Sequence, residues 1–565
     1  MLNKNKTDLQ NQENLMSTAD QGSYTWPSRN QFSIIAFCPM PSNYLDSNYR
    51  HDQETVKNLM EIVKNSGIDT VLVQGGGDCI QAHLQAALSS NINVIASYFD
   101  ICNPPRCLVV YKMFRGFSNL VAWQVMDEPK PKHWGGVFDR EGNILEGLSR
   151  DTTFNALTVG YNLVNALDPS RTVMFNLAVR TSSDWIGKFS ENEKSGYYQY
   201  MNYLRHLNIL YHPQLWSFDY YPVACKLKDS VNGVPVENGI GKMPTDNELQ
   251  TVVWYKGLFT YLQCFQTISQ ATGSRFIAYS NCMHYNLYNA KGKFNTQYPC
   301  PTMGKLRLEV FSAMCYGAAG IAYYRYGLGS NLQMAQKDDF NWADSMVCFE
   351  SPVSYHGSSA EKNLSEIKDK LELTNTSESA QTLFISDIWQ TVRDMNKQIR
   401  LWQKLFIGSK PKNHLHALYP VDSDGNPLLV VGMGILTKRD LLNTCLKKIE
   451  HVHKLESSSV KIDDMQYPGE EGSYITTFGQ QPGVLLSWFT SPGYRDGYQN
   501  YLAILNLDIE RQQSMILTFT KGGYYSLKES KSNSISDYSF NTTKPGPNTD
   551  HVITLSPGEM IVLFW

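Results

Sequence analysis

The sequence predicts an α/β fold: a (β/α)8 barrel over roughly residues 30–410, followed by an all-β sandwich over 411–565. Three observations lead there. Eight short apolar, β-branched or aromatic runs recur, separated by segments of helical periodicity. The runs are nearly continuous in apolar residues, as strands covered on both faces must be. From about His414 the apolar period switches to two.

Strands are expected at Phe32–Phe37, Thr70–Gln74, Val94–Phe99, Val121–Val125, Thr172–Leu177, Leu215–Tyr221, Arg275–Tyr279 and Ile321–Tyr326. Helical patterns fall between them at Gln53–Asn65, Cys79–Ser89, Leu108–Gly116, Thr153–Leu167, Tyr197–Leu210, Glu248–Ala271 and Leu306–Tyr316. Strands alternating with helices pair in parallel through right-handed crossovers. Eight regular units fit a closed barrel better than an open sheet, which would need a switch point. The polar stretch Gly329–Ser379 reads as a long insertion. Ile385–Phe406, with apolar residues at Ile388, Val392, Met395, Ile399, Trp402 and Leu405, reads as the eighth helix. Segments such as "LHALYPV", "LLVVGMGI", "YITTF" and "GVLLSWF" then alternate, with turn signals at Asp424-Gly425 and Pro557-Gly558. Leu441–Leu455 reads as a local helical pattern or a charged insertion within that module.

Composition narrows the function. Across 565 residues, 50 basic against 53 acidic side chains leave a net charge of −3, so there is no basic field for nucleic acid or an anionic membrane. No apolar run reaches the roughly 18 residues of a membrane span. Residues 1–29 are polar and lack the apolar stretch of a signal peptide, which reads as a disordered or extended segment. The location follows as cytoplasmic, or as periplasmic or extracellular if a signal has been removed. The 11 cysteines form no C-x-x-C pair and read as buried thiols. His414-x-His416 and His451-x-His453 have no third ligand near them in sequence, so no metal is implied. Aromatic residues reach 12%, a supply of flat faces for ring-shaped ligands.

In a barrel, chemistry gathers where strands end at the C-terminal face. Strand two ends in three glycines and Asp78, with no Gly-Lys-Ser/Thr to make a phosphate cradle. Strand three ends in Tyr98, Phe99 and Asp100. Strand four ends in "AWQVMDEPKP", which puts Asp127 and Glu128 at the rim, with Trp123 and Trp134 to either side. Strand six ends in Asp219, Tyr220 and Tyr221. Strand seven ends in Ser280, Asn281, Cys282, Met283 and His284, and strand eight in Tyr323, Tyr324, Arg325 and Tyr326. Cleaving an acetal needs two carboxyl groups across a sugar-sized gap, one of them held protonated by burial or by a like charge. Asp127 beside Glu128, with Asp219 two strands away, supplies the residue types. The same residues also read as a helix cap, a rim salt bridge or a turn.

At this point the strand-four segment "W-Q-V-M-D-E-P" (Trp123–Pro129) resembles the "W-x-x-x-[ND]-E-P" segment of the large clan of retaining (β/α)8 glycosidases. Arg307–Tyr326 resembles the closing unit of beta-galactosidase-like barrels of bacterial polysaccharide-utilisation type, and "I-T-L-S-P-G-E-M-I-V-L-F-W" resembles the end of the β-sandwich that often follows them. The resemblance implies a glycoside hydrolase acting on a poly- or oligosaccharide, without a cofactor, with Glu128 as acid/base. The clan's nucleophile is a Glu at the end of strand seven, where this chain has Ser280, Asn281 and Cys282. Three alternatives remain: Asp219 as the base of an inverting reaction, Asp78 or Asp100 reaching across the barrel, or a carbohydrate binder without catalysis. Glu128 and Asp219 are thus the expected catalytic pair, with Asp127, Asp78, Asp100, Tyr98, Trp134, Tyr221, Asn281, His284, Tyr324 and Arg325 expected to contact the saccharide.

Overall fold

A computed structural model describes residues 26–28, 31–37, 53–98, 104–129, 155–179, 196–227, 245–253, 255–288, 294–328, 340–348, 372–374, 383–407, 409–417, 446–451, 475–476, 484–490, 500–519, 525–528, 541–543 and 550–564. Eight parallel strands close a ring: β1 (Ser33–Phe37), β2 (Thr70–Gly75), β3 (Asn93–Tyr98), β4 (Leu120–Asp127), β5 (Thr172–Ala178), β6 (Leu215–Asp219), β7 (Arg275–Asn281) and β8 (Gly320–Tyr324). The seam pairs Ser33 with Gly320 and Ala36 with Tyr323. Helices α1 (Gln53–Asn65), α2 (Gly77–Ser89), α3 (Pro104–Phe114), α4 (Asn155–Leu167), α5 (Gly196–Tyr211), α6 (Tyr255–Thr272), α7 (Met303–Cys315) and α8 (Asp387–Phe406) follow the strands in turn. The barrel expectation is met strand for strand.

The period-two alternation of each strand sorts its side chains between two cores. Ile35, Phe37, Leu72, Ile95, Met174, Ile277, Tyr279 and Ala322 fill the lumen. Their neighbours Ile34, Ala36, Val71, Val73, Val173, Phe175, Ala278 and Tyr323 face the helices. Trp26 closes the lower end of the lumen, and its carbonyl accepts the Thr172 hydroxyl at 2.6 Å. The helices answer with apolar stripes: Val56, Leu59, Met60 and Val63 on α1, and Val392, Met395, Ile399 and Trp402 on α8, all fully buried. Arg400 of α8 donates to the Phe32 carbonyl (2.6 Å) and to Asp69 (2.5 Å), tying the last helix to the first strands.

Two expectations about helices fail. Leu249–Val253, read as the start of a long helix, is a strand antiparallel to Val223–Leu227. Three consecutive β-branched residues, Thr251, Val252 and Val253, favour the pleat over the helix. It belongs to a six-stranded sheet built from the insertions after β6, β7 and β8, which includes the hairpin His284–Tyr288/Phe294–Tyr298, the strand Phe340–Asp344 and, at its edge, Ile475–Thr476. Leu446–His451, inside the segment read as helical, pairs antiparallel with Gln513–Phe519. Its partner strand satisfies backbone groups that an isolated helix of this length would not hold.

After α8 the chain builds two antiparallel sheets. One orders Lys410–Ala417, Val484–Thr490, Asn500–Asn506, Met560–Phe564, Tyr525–Lys528 and Asn541–Thr543. The other orders Leu446–His451, Gln513–Phe519 and Asp550–Leu555. The six-stranded sheet packs on α7 and α8: Phe406 meets Phe489 edge-on at 5.0 Å, and Arg307 donates to the Pro557 carbonyl. The approach is close enough that a Cβ on Gly304 would collide with the Ile509 carbonyl. Covered on both sides, α7 is buried at every position but Met303 and Arg307, including Lys305 and Glu309. The segment "LLVVGMGI" lies outside the described residues, and no helix among those described is long and apolar enough to cross a membrane.

Candidate active site

Alternation carries Asn176, Asp219, Asn281 and Tyr324 onto the lumen face, because Met174, Leu215, Ile277, Tyr279 and Ala322 point inward along the same strands. β4 needs a further device. Gln124 pairs with lumen-facing Met174, so unbroken alternation would turn Asp127 outward. A register shift between Gln124 and Met126 restores it: Met126 pairs with outward Phe175, and Asp127 with inward Asn176. The residue after the bulged strand is Glu128, held at φ +43° with its N–H on the Asn176 carbonyl (3.0 Å). A side chain in this left-handed region carries strain of about 1–2 kcal/mol. Strain on an acidic residue at a barrel mouth is the kind of outlier that marks a functional position.

Three carboxyl groups thereby converge. The Asn176 amide donates to Asp127 (3.1 Å) and to Asp219 (3.2 Å), while its own oxygen accepts the Ser217 hydroxyl (3.1 Å). The Asp219 carboxyl also lies within hydrogen-bonding reach of that of Glu128. Burial pushes Asp219 well above the ordinary carboxylate range, and the charges of Glu128 and Asp127 push it further. Burial likewise raises Asp127 to about 6, with Glu128 adding to the rise and Asn176 opposing it. Low dielectric and like charge thus keep protons at this mouth at neutral pH.

Aromatic rings stand beside the acids. Tyr221 and Tyr324 stack at 5.8 Å with 24° between planes, Tyr324 lies against Phe37 at 5.3 Å, and Tyr285 stacks on Tyr298 at 4.5 Å. Tyr298 also meets Tyr221 edge-on at 6.0 Å, which joins the two stacked pairs into one cluster two residues beyond Asp219.

The structure therefore gathers Asp127, Glu128, Asp219, Tyr221, Asn281 and Tyr324 at one end of the ring. His284 stands on the hairpin above, its Nε2 at 2.9 Å from Gln297. Arg325 directly follows Tyr324 at the end of β8, and its carbonyl accepts the Ser345 hydroxyl. Asp78 sits exposed in the first turn of α2, where a negative charge suits the helix dipole. Tyr98 closes β3 opposite Gly75. Asp100 and Trp134 lie outside the described residues. Trp123 faces the helices, its indole N–H on Asp168 at 2.9 Å, so it is no sugar platform. Cys282, one residue past β7, is buried, which holds its thiol well above the ordinary range, and its Sγ donates to the Arg325 carbonyl. Asn176, the residue that joins the acids, escaped the sequence reading. Its signal was a lone amide at lumen parity in the apolar run "TVMFNLA".

No protein-family model matches the chain, and no curated protein does. Similar solved structures include a family 1 β-glucosidase from Thermotoga maritima, 12% identical over 60% of this chain and 99% of that one, with a TM-score of 0.34. Others are an endo-beta-1,4-mannanase from Thermotoga petrophila, 10% identical over 94% and 98% (TM-score 0.34), and a xylanase from Paenibacillus barcinonensis, 10% identical over 56% and 91% (TM-score 0.30). All three are glycosidases by name. Identities and TM-scores this low assign neither family nor reaction.

Proposed function

We propose that this protein hydrolyses glycosidic bonds in a poly- or oligosaccharide bound at the mouth of the barrel. The observation that carries the reading is the convergence of Asp127, Glu128 and Asp219 beside stacked tyrosines, with Asn176 bridging the two aspartates and burial raising both. Protonating a leaving oxygen requires a carboxylic acid that keeps its proton at neutral pH, and a partner carboxylate to stabilise positive charge on the sugar. Glu128, at the strained strand end, is the group presented to the bond. Asp219, which burial holds well above the ordinary carboxylate range, stands beside it as the proton source. Asp127, ionised above about pH 6, adds a negative charge beside the pair. An inverting reaction asks for carboxyls roughly 6.5–9.5 Å apart. The direct meeting of Glu128 and Asp219 makes Asp219 a better proton partner than a distant base.

A second reading, saccharide capture without turnover, is favoured by one observation: β7 ends in Asn281, where a double displacement would want a carboxylate. Reducing-sugar release across a glycan panel separates the two. With turnover, Glu128→Gln lowers kcat by at least about 10³-fold while affinity stays within about tenfold. Equal and negligible release by wild type and variant, with retained glycan binding, establishes capture instead.

A further inference from the structure

Behind β7, on the far side of the barrel wall from the carboxyl trio, lie two buried ionisable residues that the proposed reaction does not use. α7 carries Lys305 and Glu309 one turn apart, 1% and 3% exposed. Oε2 of Glu309 accepts the Ser280 hydroxyl at 2.5 Å and the Asn281 backbone N–H at 3.0 Å. Ser280 faces the helix, so Asn281, the next residue, faces the lumen. Its Oδ1 accepts the Met283 N–H at 3.2 Å, while its amide nitrogen is buried without a partner. One residue further, Cys282 donates its N–H to the Tyr324 carbonyl at 2.6 Å. Tyr324 is the ring stacked on Tyr221 beside Asp219.

Burying an ionisable side chain costs stability, because desolvation offsets most of what nearby charges return. Burial lowers the Lys305 pKa and raises that of Glu309 to about 6, both against the charged forms. Lys305 donates to the Pro299 carbonyl (3.5 Å), whereas Glu309, buried at that expense, is bonded to the end of β7 and so acts on the position of that end. We propose that Glu309 is a positioning residue: it clamps the end of β7 from outside the wall and, through Asn281 and the Cys282–Tyr324 backbone bond, sets the Tyr221–Tyr324 platform on which a sugar ring rests. The platform's role rests on the saccharide reading above; the clamp itself does not.

Two measurements test it. Hydrogen exchange of the full chain needs no substrate. In Glu309→Ala the amides of residues 281–285 exchange at least tenfold faster while those of residues 306–314 in α7 keep their protection, and Glu309→Gln, which retains an acceptor oxygen, restores much of the difference. Unchanged exchange at 281–285, or protection lost equally along α7, overturns the clamp. On whichever glycan the panel shows to be cleaved, Glu309→Ala raises KM about tenfold with kcat within about threefold, Glu309→Gln recovers most of the loss, and the effect of Glu309→Ala vanishes in a Tyr324→Ala background. Strict additivity with Tyr324→Ala, or an equal fall in kcat and kcat/KM, overturns the link to the platform. A silent glycan panel with loosened 281–285 amides refutes the hydrolase reading and leaves the clamp standing.

Discussion

Replacing Asp127 by Asn should make the protein more stable at pH 8 and leave it nearly unchanged at pH 4. In the folded chain Asp127 titrates near 6 against an ordinary 3.8, chiefly because burial penalises its charge. Below pH 3.8 both folded and unfolded chains hold the proton and no penalty exists. Between 3.8 and about 6 the unfolded chain gives up its proton first, so stability falls as pH rises; above 6 the penalty is complete. Two pH units correspond to about 3 kcal/mol, which residual contact with water trims to about 1–3 kcal/mol. Asn keeps an oxygen for the Asn176 amide, now 3.1 Å from Asp127, and removes a charge that repels Glu128 and Asp219. Thermal unfolding at the two pH values should show a Tm about 1–3 °C higher for the variant at pH 8 only. A variant less stable than wild type at pH 8, or a gain of equal size at both pH values, would refute this account of the cluster.

Further outcomes follow from the same geometry. Asn176→Ala removes the donor that lowers both Asp127 and Asp219, so the ascending limb of the pH profile of kcat/KM should move upward by about one unit; an unmoved limb separates Asn176 from the acids. Glu128→Gly relieves the φ +43° strain and should stabilise the fold by about 1 kcal/mol in denaturant titration while abolishing turnover; a destabilised variant would place the residue in the packing instead. Gly304→Val drives a side chain into the Ile509 carbonyl and should cost at least about 1–3 kcal/mol, read as an earlier urea midpoint, unless α7 and the sheet separate freely.

Much of this protein was legible in the sequence because burial has a period. Strands of a closed barrel are covered on both faces, so their eight apolar runs stand out, and so do the amphipathic helices between them. The same regularity put Asp219 and Tyr324 at strand ends, where a barrel gathers its chemistry. Leu249–Val253 and Leu446–His451 misled because their helical spacing is local, whereas the partners that make them strands lie elsewhere in the chain.

Residue type and order alone therefore determined the barrel, its helices and the presence of acids at its rim. Only the tertiary structure decided that those acids meet. A one-residue register shift in β4 turns Asp127 inward, a left-handed backbone carries Glu128 to the mouth, and Asn176 from the neighbouring strand bridges Asp127 to Asp219. Register and bridging depend on which strands become neighbours, and a linear pattern carries no record of that until the ring has closed.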